Sequence, residues 1–122
     1  MTTTMQPKQS CSRGDVVLVL YPHADLHTAK VRPALVVQSD HLDSGLSQVI
    51  VAMISGRLFR AGHPSRVLVR IDTATGRGTG LLSDSVVMTD NLATVALAAI
   101  DRVIGTLAMQ EVDMTLRHTL GA

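Results

Sequence analysis

Short β-branched runs separated by polar breaks dominate the first half of the chain. Val16-Val17-Leu18-Val19-Leu20-Tyr21 follows the turn signal Arg13-Gly14-Asp15 and stops at Pro22. By length and composition it predicts a strand. A polar connection, His23 to Val31, leads to a second strand over Pro33 to Gln38. A Gly45-containing loop then precedes a third strand, Val49 to Ile54. Ser55 to Pro64 reads as a basic loop with room for a short hairpin. Arg66-Val67-Leu68-Val69-Arg70-Ile71 alternates with period two, the mark of a half-exposed strand. The Gly/Thr-rich stretch Thr73 to Gly80 predicts a turn. Ser85 to Met88 predicts a further strand, which Asn91 to Val95 can extend. Ala96 to Leu107 fits either a short helical turn or a strand.

The end of the chain changes period. Val112, Leu116 and Leu120 repeat at helical spacing, with Met109 one turn earlier. Glu111 and Asp113 fall in the first turn of that helix, and Arg117 and His118 in the last, both suited to its dipole. Gly121 is a natural terminator. No helix of crossover length separates the strands, so the expected fold is mainly β, a small antiparallel barrel with a C-terminal helix. Residues 1–12 read as a flexible N-terminal tail and 13–122 as a single domain, as expected for 122 residues.

Composition narrows the function classes. No apolar run approaches the roughly 18 residues of a membrane span, and Met1 to Ser10 is too polar for a secretory signal. A cytoplasmic location with no membrane partner is therefore expected. A single cysteine, Cys11, excludes an internal disulfide framework and a cysteine-based zinc site. Tyr21 and Phe59 are the only aromatics, so the core must be aliphatic. Net charge is +1, but it is unevenly spread. Arg57 to Arg77 carries five arginines against Asp72, and Asp84 to Asp113 carries five acids against Arg102. Such a basic segment either meets an acidic partner such as nucleic acid or is neutralised by the acidic segment on folding.

Most candidate motifs fail on their missing parts. Gly76-Arg77-Gly78-Thr79-Gly80 lacks the third glycine of a dinucleotide loop and the Lys-Ser/Thr of a P-loop, so it reads as a turn. His23 and His27 are spaced for one helix face, but Pro22 precedes them and no third ligand is evident. No Gly-x-Ser-x-Gly elbow exists, and the carboxylates are too scattered for two-metal nuclease chemistry. Two positions remain. Arg32 precedes Pro33, which holds it extended and fixes where its side chain departs. Ser55 ends the third strand before Gly56. Alone, each is also what an ordinary strand end or turn looks like.

In order, four stretches give these positions a context. Arg13 to Val19, Arg32 to Val37, Val49 to Ser55, and Gly80 through Val87, Asp90, Thr94-Val95 and Ile104 to Leu107 resemble the MazF/PemK family of toxins from type II toxin–antitoxin systems. The similarity runs over roughly Arg13 to Gly121. It implies an SH3-like barrel of the MazF/PemK/CcdB-like kind, a homodimer, and metal-independent, sequence-specific cleavage of single-stranded RNA without any cofactor. It also implies a cognate acidic antitoxin protein, with DNA reached only indirectly through the antitoxin complex. The family's catalytic arginine and Thr/Ser fall on Arg32 and Ser55. Departures are Met53 where proline is frequent, Ser55 where threonine is frequent, and Ala93 where arginine is common.

RNA brings its own nucleophile, the 2′-hydroxyl, and cleavage leaves a 2′,3′-cyclic phosphate and a 5′-hydroxyl. A guanidinium keeps its proton at neutral pH, so Arg32 is expected to stabilise charge, and Ser55 to hold a phosphate oxygen. His23 is a candidate acid or base. Arg57 and Arg60 are expected on phosphates, with Lys30 and Asp84 as further RNA-binding candidates. Phe59 either stacks on a base or serves as a core or dimer contact. The alternatives are a CcdB-like gyrase poison and an inactive nucleic-acid-binding relative. The first would call for an aromatic C-terminal tip, and the chain ends Leu120-Gly121-Ala122.

Overall fold

The protein is described from a computed structural model covering residues 11–22 and 29–122. Strands β1 (Asp15–Pro22), β2 (Ala29–Val36) and β3 (Gln48–Ser55) form a meander. A 3₁₀ turn (Leu58–Arg60) leads to the short strand β4 (Arg66–Val69). A one-turn helix, α1 (Ala74–Arg77), precedes the long strand β5 (Ser85–Ala96). A second 3₁₀ turn (Leu97–Ala99), strand β6 (Ile100–Thr106) and helix α2 (Gln110–Leu120) complete the chain. Pairing is antiparallel throughout, in the order β4-β5-β3-β2-β1-β6.

The apolar runs are continuous because both faces of this sheet are covered. Successive side chains take opposite sides. Val16, Leu35, Ala52, Ile54 and Val87 join Val112 of α2 in one buried cluster. Val17, Val19, Ala34, Val36, Val49, Val51 and Ile100 form the other, with Leu97 and Ala99 of the 3₁₀ turn packed against it. Helix α2 ends at Gly121, whose φ of 72° is left-handed and suits glycine. Arg13 fastens the start of β1 to that helix: its guanidinium reaches Asp113 at 2.6 Å and the carbonyl of Val37 at 3.0 Å. No helix among the described residues is long and apolar enough to cross a membrane.

The sheet is not closed, and the expectation of an SH3-like barrel is corrected here. Strands β4 and β6 are its two edges and share no ladder. The cause lies in the segment after β4. That strand is four residues long, and the chain leaving it turns into α1 instead of running beside β6. Contact with β6 is made by loop backbone instead: the Thr106 N–H donates to the carbonyl of Gly78 at 3.0 Å. Gly80 and Gly105 permit this approach, since a Cβ at either position would collide with backbone across the seam. Other differences are local. Strand β2 begins at Ala29, inside the expected polar connection, and the basic loop holds a 3₁₀ turn in place of a hairpin. The Gly/Thr-rich turn contains one helical turn, started by the Thr73 hydroxyl accepting from the Gly76 N–H at 3.0 Å. The ambiguous stretch before Leu107 is a 3₁₀ turn followed by a strand.

Leu35 is fully buried. Truncating it leaves a cavity, so Leu35→Ala should cost about 2–5 kcal/mol. Urea unfolding of the two proteins measures the difference.

Candidate active site

Register brings Arg32 and Ser55 together. The β2–β3 ladder sets Ala34 opposite Met53. Continuing that antiparallel register two residues further sets Arg32 across from Ser55, on the same side of the sheet. Both side chains line one open cleft of about 450 Å³. Arg57 and Arg60, from the loop after β3, line it too, as do Met53 and Ile54. Strand β5 contributes Met88, Asn91 and Ala93. Three arginines therefore border the cleft, and among the described residues no Asp or Glu does.

Arg32 is exposed and makes no side-chain hydrogen bond or ion pair among the described residues. Ser55 is engaged: its hydroxyl oxygen accepts from the Arg57 backbone N–H at 3.1 Å and faces Nη1 of Arg60 at 3.5 Å. The same Arg60 nitrogen lies 3.6 Å from the Met88 sulfur. The hydroxyl oxygen thus sits in a positive setting while its own proton stays available. Among the described residues no three His, Cys, Asp or Glu side chains gather as a metal site requires.

The other expected residues are dispersed. Lys30 lines a neighbouring cleft of about 410 Å³, together with Arg102, Leu81 and Leu82. Arg32 borders both clefts. Phe59 is 79% exposed, so a core role is excluded, and the Arg60 guanidinium lies 5.9 Å from its ring centre. Asp84 borders neither cleft; its carboxylate accepts the Ile71 N–H at 2.9 Å and so holds the loop between β4 and β5. His23, like His27, lies outside the described residues.

A feature not anticipated from the sequence is a bulge in β5. Adjacent residues Ala52 and Met53 of β3 pair with Leu92 and Met88, so Thr89, Asp90 and Asn91 are extra on the β5 side. Asp90 accepts from Nη2 of Arg66 at 2.8 Å and faces its Nε at 3.4 Å. The third nitrogen of that guanidinium donates to the carbonyl of Arg60 at 3.2 Å. One ion pair thus ties the bulge to the loop that carries Arg60. The five arginines of the basic segment have separate fates: Arg57 and Arg60 border the cleft, while Arg66, Arg70 and Arg77 bind Asp90, the Asp72 carboxylate and the Asp72 carbonyl.

The chain and its fold are similar to those of known proteins. The family model for PemK-like, MazF-like toxins of type II toxin–antitoxin systems matches residues 12–120. A Mycolicibacterium smegmatis protein named "Probable endoribonuclease MazF" is 31% identical over 108 residues, covering 88% of this chain and 92% of that one. The fold matches a mycobacterial endoribonuclease solved in complex with its cognate antitoxin at a TM-score of 0.69, with 17% identity over 92% of this chain and 96% of that one. It matches the Mycobacterium tuberculosis toxin MazF-mt6 at 0.62, with 25% identity over 88% and 92% of the two chains.

The Arg66 hydrogen bond holds the Asp90 carboxyl below its ordinary pKa, against the opposing effect of burial. A carboxyl depressed in the folded state contributes stability that is present above the unfolded value, near pH 4, and is lost as pH falls through the folded value. Asp90→Asn should therefore lower Tm at neutral pH, and the difference from wild type should shrink below about pH 4. Thermal melts across pH 2–7 read this directly.

Proposed function

Since the chain belongs to the PemK-like, MazF-like toxins of type II toxin–antitoxin systems, we propose that it is a sequence-specific endoribonuclease acting on single-stranded RNA. One observation carries the proposal. An unpaired guanidinium and a hydroxyl, supplied by separate strands, border the same cleft, with two further arginines and, among the described residues, no acid around them.

The substrate provides the nucleophile. Its 2′-hydroxyl oxygen attacks the adjacent phosphorus and loses its proton, and the P–O5′ bond breaks as the 5′-oxygen takes up a proton. The products are a 2′,3′-cyclic phosphate and a 5′-hydroxyl. Negative charge gathers on the non-bridging oxygens as the five-coordinate phosphorane forms. Arg32 answers that charge with a planar fork suited to two phosphate oxygens. Ser55 donates its hydroxyl proton to one of them, its oxygen polarised by the Arg57 N–H and the Arg60 guanidinium. Arg57 and Arg60 bind the flanking phosphates, and Lys30 extends the positive track past Arg32. Phe59, exposed beside Arg60, is a platform for a base. His23 remains the candidate for moving protons. The arginine-lined cleft also suits an acidic antitoxin segment, which would block RNA by occupying the same arginines. The active unit is a homodimer, and DNA is met only through the antitoxin complex.

Purified protein should cut single-stranded RNA in the presence of EDTA and leave a cyclic phosphate. Arg32→Ala should cut about 100-fold more slowly or worse, the usual cost of losing one preorganised donor. Gel analysis of end-labelled RNA measures both. Equal cutting by the variant would remove Arg32 from the mechanism.

A further inference from the structure

We propose that Asn91 is a specificity-determining residue that reads a base next to the scissile phosphate from an anchored bulge in β5; the proposal rests on the ribonuclease reading above. The polar groups bordering the cleft divide by what they can recognise. The guanidinium groups of Arg32, Arg57 and Arg60 suit phosphates, which are the same in every sequence. The Ser55 hydroxyl oxygen is engaged by the Arg57 N–H and the Arg60 guanidinium. Among the described residues bordering the cleft, Asn91 alone carries a side-chain amide, a separate N–H donor and carbonyl acceptor side by side in one plane. It is exposed and makes no hydrogen bond among the described residues.

The residues before Asn91 are fixed. Thr89 is fully buried, and its N–H and hydroxyl both donate to the Ser65 carbonyl, at 3.0 and 2.6 Å. Its oxygen also lies 2.8 Å from the Thr119 hydroxyl of α2. Asp90 is held by Arg66 at 2.8 Å. After Asn91 the β3 ladder resumes at Leu92, opposite Ala52. Two tethered residues on one side and a paired strand on the other thus present a single free amide to the cleft. A rigid mount for a short polar side chain lowers the ordering cost of recognition. Bases splayed from a single strand expose adjacent donors and acceptors on their edges, which an amide can meet with two hydrogen bonds.

The test compares wild type, Asn91→Ala and Asn91→Gln on a pool of randomised single-stranded RNA, with the cut ends sequenced. Wild type should prefer one base at a position adjoining the cut. In Asn91→Ala that preference should fall about tenfold or more, as expected for losing a paired contact, while preferences elsewhere persist. Asn91→Gln keeps the amide on a longer stem and should retain part of the preference. Unchanged preference in Asn91→Ala, with cutting still dependent on Arg32, overturns this inference alone. Loss of all cutting in both variants also overturns it, because base reading alters the choice among RNAs and not the chemistry. A wild-type protein that cuts no RNA overturns the ribonuclease reading itself.

Discussion

The pairing of β2 with β3 governs everything at the cleft. Side chains alternate faces along a strand, so setting Ala34 against Met53 decides on which side Arg32 and Ser55 emerge. A slip of one residue would send Arg32 to the other face and drive Ala34 and Val36 out of their buried cluster. Leu35, on the alternate position, would leave the opposite cluster at the same time. Burying both faces therefore locks the register twice. The functional geometry is inherited from packing of Val, Leu and Ala side chains that take no part in any chemistry.

Charge is distributed by the same strands. Arg66 and Asp90 come from the segments of opposite charge and meet because β4 lies beside β5. Arg32, Arg57 and Arg60 are left around an open cleft without a counter-ion from the described residues on its wall. Like charges so gathered repel one another, and water screens that cost only while the cleft is empty. A polyanion entering the cleft relieves the repulsion and gains the attraction of all three. The positive field is a property of the folded sheet, since the chain's net charge is only +1.

Local pattern sufficed where local forces decide. The runs beginning at Val16, Pro33 and Val49 lie within β1, β2 and β3 or run just past their ends, and the helical spacing of Val112, Leu116 and Leu120 lies in α2. Arg32 stood out because Pro33 constrains it. Closure of the sheet was not legible, because it turns on whether β4 and β6 meet, and no neighbouring residues encode that. The glycines at 80 and 105 carried the relevant information, but only as a backbone contact between segments distant in sequence. The β5 bulge was hidden for a similar reason: an extended run through Thr89, Asp90 and Asn91 reads as plain strand until its partner on β3 is known. Phe59 shows the reverse problem, since an apolar residue implies burial on average, yet this one stands between two arginines in the open.

The central claim is that Arg32 and Ser55 act on one phosphate. A double-mutant cycle of Arg32→Ala and Ser55→Ala on single-turnover RNA cleavage tests it most directly. Two groups serving the same transition state are strongly non-additive, so the double variant should cut little more slowly than the worse single variant. Losses that multiply independently would contradict the account and assign the two side chains to separate tasks.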